Sequence, residues 1–390
     1  MSINAPDLLH RLMNARSTTQ TETIMAGLPI VPTDQYQWLS ADERSGPWQS
    51  GKLHWVPVGR DRGNGGRIKL AGEPMNPLAE RLVNGMESLI ELARLRELLA
   101  SPSSPVPASP REAVLRYFGF PKLDAIERLD DDERKEKNVL ADKVRKNLSI
   151  TLDFEKKLKE FAVTIRDHGM GQTAANIHKT LLSLGRTDKA DKPYLIGVFG
   201  QGGSSAFSIA KYSIVISRRA ADIRRHGEDS GAGWTIVREI QPKGRRDAYF
   251  AYLAITEEGG VPFVDAAQAD KLEFGQGAHF CHIGYDFGAS DSAIARTMYQ
   301  SLNHVLFNPV MPYELYALKD TSEPMKGTAQ RLARRVRMLG RNVALDKSYQ
   351  RPRLLTHFWD SQIREILTRC LFTSMEQHRW AGRFRSHGLI

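Results

Sequence analysis

The spacing of hydrophobic residues changes near residue 150, and that change limits the fold more than any single motif does. Before it, Leu78, Leu82, Met86, Leu89, Ile90 and Ala93 recur at helical spacing across 76–100, with Pro77 at a first-turn position. After it, apolar and polar residues run in short strand-like blocks at 150–154, 161–165, 211–217, 234–240, 248–255 and 280–287. Helices first and mostly adjacent strands afterwards predict an α+β protein, a two-layer sandwich rather than an alternating parallel sheet.

The rest of the chain divides around that core. Residues 1–60 scatter Trp38, Trp48 and Trp55 through polar sequence and read as an N-terminal arm or cap. A glycine-rich basic run at 60–72 reads as a loop or hairpin lead-in, the proline–serine run SPSSPVPASP at 101–110 cannot hold regular structure, and 100–148 reads as an insertion. Residues 61–310 then form the main domain. Cys281 and Cys370 are too few for a disulfide framework or a four-cysteine zinc site. The longest uncharged stretch lies between Lys192 and Lys211, but glycine and serine crowd it, so no span is expected and the location reads as cytoplasmic.

Charge singles out the C-terminal segment, 311–390. Within it, 325–390 carries fourteen basic and four acidic residues, which accounts for the whole net charge of +10. Such a block can engage duplex DNA or another polyanion, or it can be a solvated arginine-rich helix face.

Three segments carry chemistry. Glu80, Asn84 and Glu87 fall on one helical stripe, and a carboxylate there can activate water while an amide oxygen completes a magnesium shell. Asp167-His-Gly169-Met-Gly171 follows a strand and sets an acceptor beside bare backbone, as needed to read a base amino group. Gly197-Val-Phe-Gly200-Gln-Gly202-Gly203-Ser204-Ser205 runs into a short helix and offers backbone N–H groups to phosphates. No GxxxxGK[ST] loop occurs in the chain.

In this order and spacing the three segments resemble the N, G1 and G2 boxes of the GHKL superfamily of ATPases, which share the Bergerat fold. The superfamily includes gyrase B subunits, the ninety-kilodalton heat-shock chaperones, sensor histidine kinases and MutL, and the microrchidia ATPases are close to it. The resemblance covers roughly 70–290 and departs from the family pattern at Glu87, where aspartate is usual, and at Ala278, where the family often has Gly-Thr. It implies ATP and Mg2+ as ligands, with Glu80 as the general base and Asn84 as a magnesium ligand. Asp167 would accept the adenine amino hydrogen, with Gly169 and Gly171 allowing close approach. Glu87 would lie in the pocket, and Gly200, Gly202, Gly203 and Ser204 would hold the phosphates under a lid at 172–194.

The resemblance further implies an ATP hydrolase whose lid closure drives pairing of two copies, acting on DNA or a protein partner. A histidine kinase is disfavoured, because that branch lacks a glutamate equivalent to Glu80 and needs a phosphoacceptor helix pair, whereas 1–75 hold only His10 and His54, neither on a convincing helical hairpin by sequence. A non-catalytic ATP-binding module, or a regulatory subunit of a bacterial defence complex, would keep Asp167 and the glycine loop without using Glu80. The segment 311–390 is short for a full transducer domain and would be a partial one.

Overall fold

In the computed structural model the long helix spans Met75–Ala100, as its apolar spacing predicts. The structure describes residues 7–40, 43–69, 73–120, 132, 136, 139–140, 143–184, 191–196, 202–242, 247–288, 294–306, 309–317 and 337–338. Leu78, Leu82, Met86 and Ile90 are fully buried along one stripe of the helix, each contributing about 1.5–3 kcal/mol by leaving water. At its C-terminal end Arg94 turns back into the proline–serine run, donating from Nη1 to Ser104 Oγ (2.7 Å) and from Nη2 to the Ser104 carbonyl (2.9 Å). A loop without regular structure is thereby held by one buried guanidinium. Pro110–Phe118 follows as a helix capped by the Ser109 hydroxyl and packs back on the same core.

Strands β1 (Gln37–Trp38) and β2 (Arg44–Ser45) pair as a small separate ribbon. The main sheet is built from β3 (His54–Pro57), β4 (Leu148–Glu155), β5 (Glu160–Asp167), β6 (Tyr212–Arg218), β7 (Ala232–Ile240) and β8 (Tyr249–Ala254). It is completed by β9 (Phe263–Val264), β10 (Gly277–Ile283), β11 (Glu314–Ala317) and β12 (Arg337–Met338). Among the described residues its order is β12-β11-β4-β5-β10-β6-β7-β8-β3, with β9 beside β7. Every pairing is antiparallel except β11 with β4. The six expected strand runs form β4 to β8 and β10. The shorter strands are too brief for alternation to show.

Alternate residues sort the sheet into two faces. Ala278 and Phe280 of β10 and Val215 of β6 face a helix layer holding the long helix, Ala174–Thr180, Ala206–Ile209 and Ile294–Val305. This is an open sheet under a helix layer, the predicted α+β arrangement. Cys281, Ile283, Ile214 and Ile216 face the other side.

Residues within 8–26 help to cover that other side. Leu8–Asn14 and Thr18–Ala26 are helices whose Leu8, Leu9, Leu12 and Ile24 pack on Ile214, Ile216 and Trp234. Glu160 ties the second helix down by accepting from Thr18 N (3.0 Å) and Thr18 Oγ1 (2.9 Å), and Arg16 pairs with buried Asp153 at 2.8 Å. The segment read as an arm therefore supplies two packed helices and the edge strand β3. Among the described residues no helix is long and apolar enough to cross a membrane. Apart from Arg337–Met338, the basic run 325–390 lies outside the described residues.

Candidate functional site

β5 ends at Asp167, which lies opposite Leu148 of β4 and Ala278 of β10. Its carboxylate accepts from the Gly169 amide at 2.9 Å, from the Ala278 amide and from the Ser88 hydroxyl. Ser88 Oγ in turn accepts from the Met170 amide at 3.1 Å. Burial pushes the Asp167 carboxyl above the ordinary aspartate range, while those donors and Arg166 pull the other way. An ionised carboxylate can accept about four hydrogen bonds, so capacity remains for a ligand donor.

Both glycines of this turn are required by close approach. A Cβ on Gly169 would sit 2.2 Å from Ser88 Oγ and 2.6 Å from the Ser88 backbone. Gly171, at φ +60, would place one 1.8 Å from the Arg218 carbonyl. The turn is thus pressed against the long helix on one side and the end of β6 on the other.

One helical turn earlier the same helix meets the glycine-rich segment. Gly202–Ser205 forms a tight turn that leads into Ala206–Ile209. A Cβ on Gly203 would lie 3.0 Å from Asn84 Nδ2 and 3.1 Å from Arg81 Nη1. Ser204 is buried beside it. Gly200 lies outside the described residues.

The stripe Glu80, Asn84, Glu87 runs from solvent into the interior. Glu80 is exposed, Asn84 is half-buried and Glu87 is buried. Glu87 Oε1 accepts from the Ile196 amide at 2.7 Å, so its carboxylate holds the chain that leads into the glycine loop. Glu91 extends the stripe, pairing with Lys192 Nζ at 2.8 Å and with the Tyr194 hydroxyl. Burial, with that carboxylate beside it, pushes the Tyr194 hydroxyl up to about 12. The polar face of the helix therefore receives 192–196 along its length. Lys211 pairs with Glu160 at the surface, away from this site.

Arg81 went unnoticed in the sequence. It is 5% exposed, and its guanidinium lies over the rings of Phe280 (4.0 Å) and Phe207 (5.1 Å). Its Nε and Nη2 have no hydrogen-bond partner, and burial lowers its pKa to about 9. The available signal was positional. Arg81 follows Leu78 by three residues and precedes Gly85 by four, so it is a charge on the core-facing stripe.

No family model matches the chain. It is similar to the chaperone protein HtpG of Nitrobacter hamburgensis, 25% identical over 190 residues, which cover 44% of this chain and 29% of that protein. HtpG of Coxiella burnetii is 30% identical over 126 residues, 29% of this chain and 20% of the relative. The chain thus spans less than a third of the length of these relatives. These partial similarities, taken with an open sheet under a helix layer and a glycine-rich turn seated on its longest helix, place the chain broadly in the GHKL superfamily.

Proposed function

We propose that the chain binds ATP with magnesium and hydrolyses it, in the manner of the water-activating branch of the superfamily. One observation carries the proposal. A single rigid helix seats Asn84 against the Gly202–Ser205 turn and, one turn on, Ser88 against Asp167 and Gly169. An acceptor that would read the base and a backbone turn that would face the phosphates are so joined at a set spacing.

The residues fit such a ligand. Asp167 retains acceptor capacity for an adenine amino group, and Gly169 and Gly171 keep its surroundings free of side chains. Gly202, Gly203 and Ser204 would direct backbone and hydroxyl donors at phosphate oxygens, with Gly200 preceding them. Asn84 would supply one oxygen to a magnesium ion, which ordinarily takes its other ligands from water and phosphate. The ion would supply charge neutralisation at the phosphates. Glu80 is exposed where water can reach it, one turn before Asn84, and would accept the proton of the attacking water. Glu87 would support the site indirectly through the backbone it holds. Closure of 172–194 and pairing of two copies complete the proposal, with duplex DNA engaged through 325–390.

Replacing Glu80 with Gln keeps size and polarity and removes the base. Turnover of ATP should fall about 10²–10⁴-fold while the affinity for ATP stays near wild type. The variant should accumulate as a dimer when ATP and magnesium are added. Wild-type turnover in Glu80→Gln would move the base elsewhere. Binding without turnover in the wild-type protein would make the chain a non-catalytic nucleotide-binding module.

A further inference from the structure

Arg81 is a buried cation without a counter-ion among the described residues. The ionisable groups that face it are Tyr285 and His282. Burial raises the phenol of Tyr285 and lowers the imidazole of His282, so both are neutral near pH 7 and neither balances the charge. Phe280 and Phe207 offer ring faces, which attract a cation but accept no directed hydrogen bond along the guanidinium fork. The Nε and Nη2 donors are therefore left unmatched in an apolar setting, an arrangement that is unfavourable until an acceptor arrives.

The location of the guanidinium that carries these two donors matters as much as its charge. Nη1 would lie 3.1 Å from a Cβ on Gly203, beside the Asn84 amide nitrogen at 3.0 Å from the same point. The guanidinium thus underlies the glycine turn from the core side, with buried Ser204 next in the chain. A planar fork of N–H groups matches two oxygens of a phosphate better than any neutral acceptor does.

We propose that Arg81 is a phosphate-binding residue, built into the long helix beneath the Gly203 turn, that pairs with the phosphate chain of the bound nucleotide. The assignment rests on the nucleotide-binding role proposed above and adds a charged ligand to it. Arg81 then makes affinity depend on the phosphates, while Asp167 makes it depend on the base. The same helix carries both Arg81 and Asn84, so one element would set the guanidinium against the phosphates and the amide oxygen against their magnesium ion.

Calorimetry with adenosine and with a non-hydrolysable ATP analogue plus magnesium separates this role from simple core packing. Arg81→Met should leave adenosine affinity within about twofold and weaken the analogue by about ten- to hundredfold. Arg81→Lys keeps the charge but loses the fork, and should recover part of the lost affinity for the analogue. Equal losses for both ligands in the two variants would make Arg81 a structural residue and overturn the assignment. So would full affinity for the analogue in Arg81→Met. If Arg81→Met does not fold, the lysine variant must still weaken the analogue more than adenosine for the assignment to stand.

Failure of the wild-type protein to bind either ligand would remove the ATP proposal, and sodium pyrophosphate then probes Arg81 alone. A rise in melting temperature with pyrophosphate, present in the wild type and absent in Arg81→Lys, would retain an anion site there. An equal or absent rise would remove it.

Discussion

Asp167 accepts from the Gly169 and Ala278 amides and from the Ser88 hydroxyl, so any ligand donor must join a carboxylate already held in place. Its Asn variant exchanges one acceptor oxygen for an N–H that would point at another donor. Such a buried mismatch costs ~1–3 kcal/mol, or about ten- to hundredfold in adenosine affinity, measurable by calorimetry. Equal affinity in Asp167→Asn would remove Asp167 from the pocket. The pH dependence has a defined sign. The ionised carboxylate would be the stronger acceptor for the amino hydrogen, since protonation turns one oxygen into a donor, and burial raises its pKa in the folded protein. Adenosine binding should therefore weaken as pH falls, beginning at a higher pH than the ordinary aspartate value of about 3.9 would set. A binding profile flat down to that value would count against the assignment.

The long helix is the element on which the site depends, because it touches the glycine turn, the Asp167 turn and the 192–196 segment at once. Leu82 is fully buried beneath this polar face and makes no polar contact of its own, so truncating it tests the element rather than the chemistry. Leu82→Ala should lower the unfolding free energy by about 2–5 kcal/mol in a urea titration, through lost burial and an incompletely filled cavity. Nucleotide affinity should fall with it, since Asn84 and Ser88 lie within two turns. A change below about 0.5 kcal/mol would mean that the helix is not seated as described. Gly85 marks how close that seat is: a Cβ there would come within 2.5 Å of Leu148 Cδ1.

At the scale of the whole molecule, two cores on opposite faces of one sheet link the N-terminal helices to the site. The second face is tied down through Thr18, Glu160, Arg16 and Asp153, so the helices within 8–26 belong to the folded body. The net charge of +10 arises from 325–390. If that run binds duplex DNA, affinity should fall steeply with salt, with log K dropping linearly against log salt at a slope of roughly −0.9 per phosphate neutralised. Filter binding or fluorescence anisotropy between 50 and 200 mM salt, about the range over which such contacts lose most, measures the slope. Salt-independent binding, or binding retained after deletion of 325–390, would assign DNA to another surface.

The elements and the order of the three segments were legible along the chain. Helical spacing located Met75–Ala100, alternation located β4 to β8 and β10, and the glycines at 169, 171, 202 and 203 marked the turns. These are local properties, since period and φ preference act between near neighbours in sequence. Tertiary structure decided what the turns meet. It packed Leu8, Leu9 and Leu12 against strands about two hundred residues away, where short helices give little periodic signal of their own. It set Ser88 on Asp167, and it carried Glu87 to the Ile196 amide. Above all it buried Arg81 under Gly203 against Phe207 and Phe280, residues brought together by strand register and helix packing. A charge on a helix looks alike in sequence whether it faces water or an aromatic core, because its cost or use is set by the atoms that the fold brings to it.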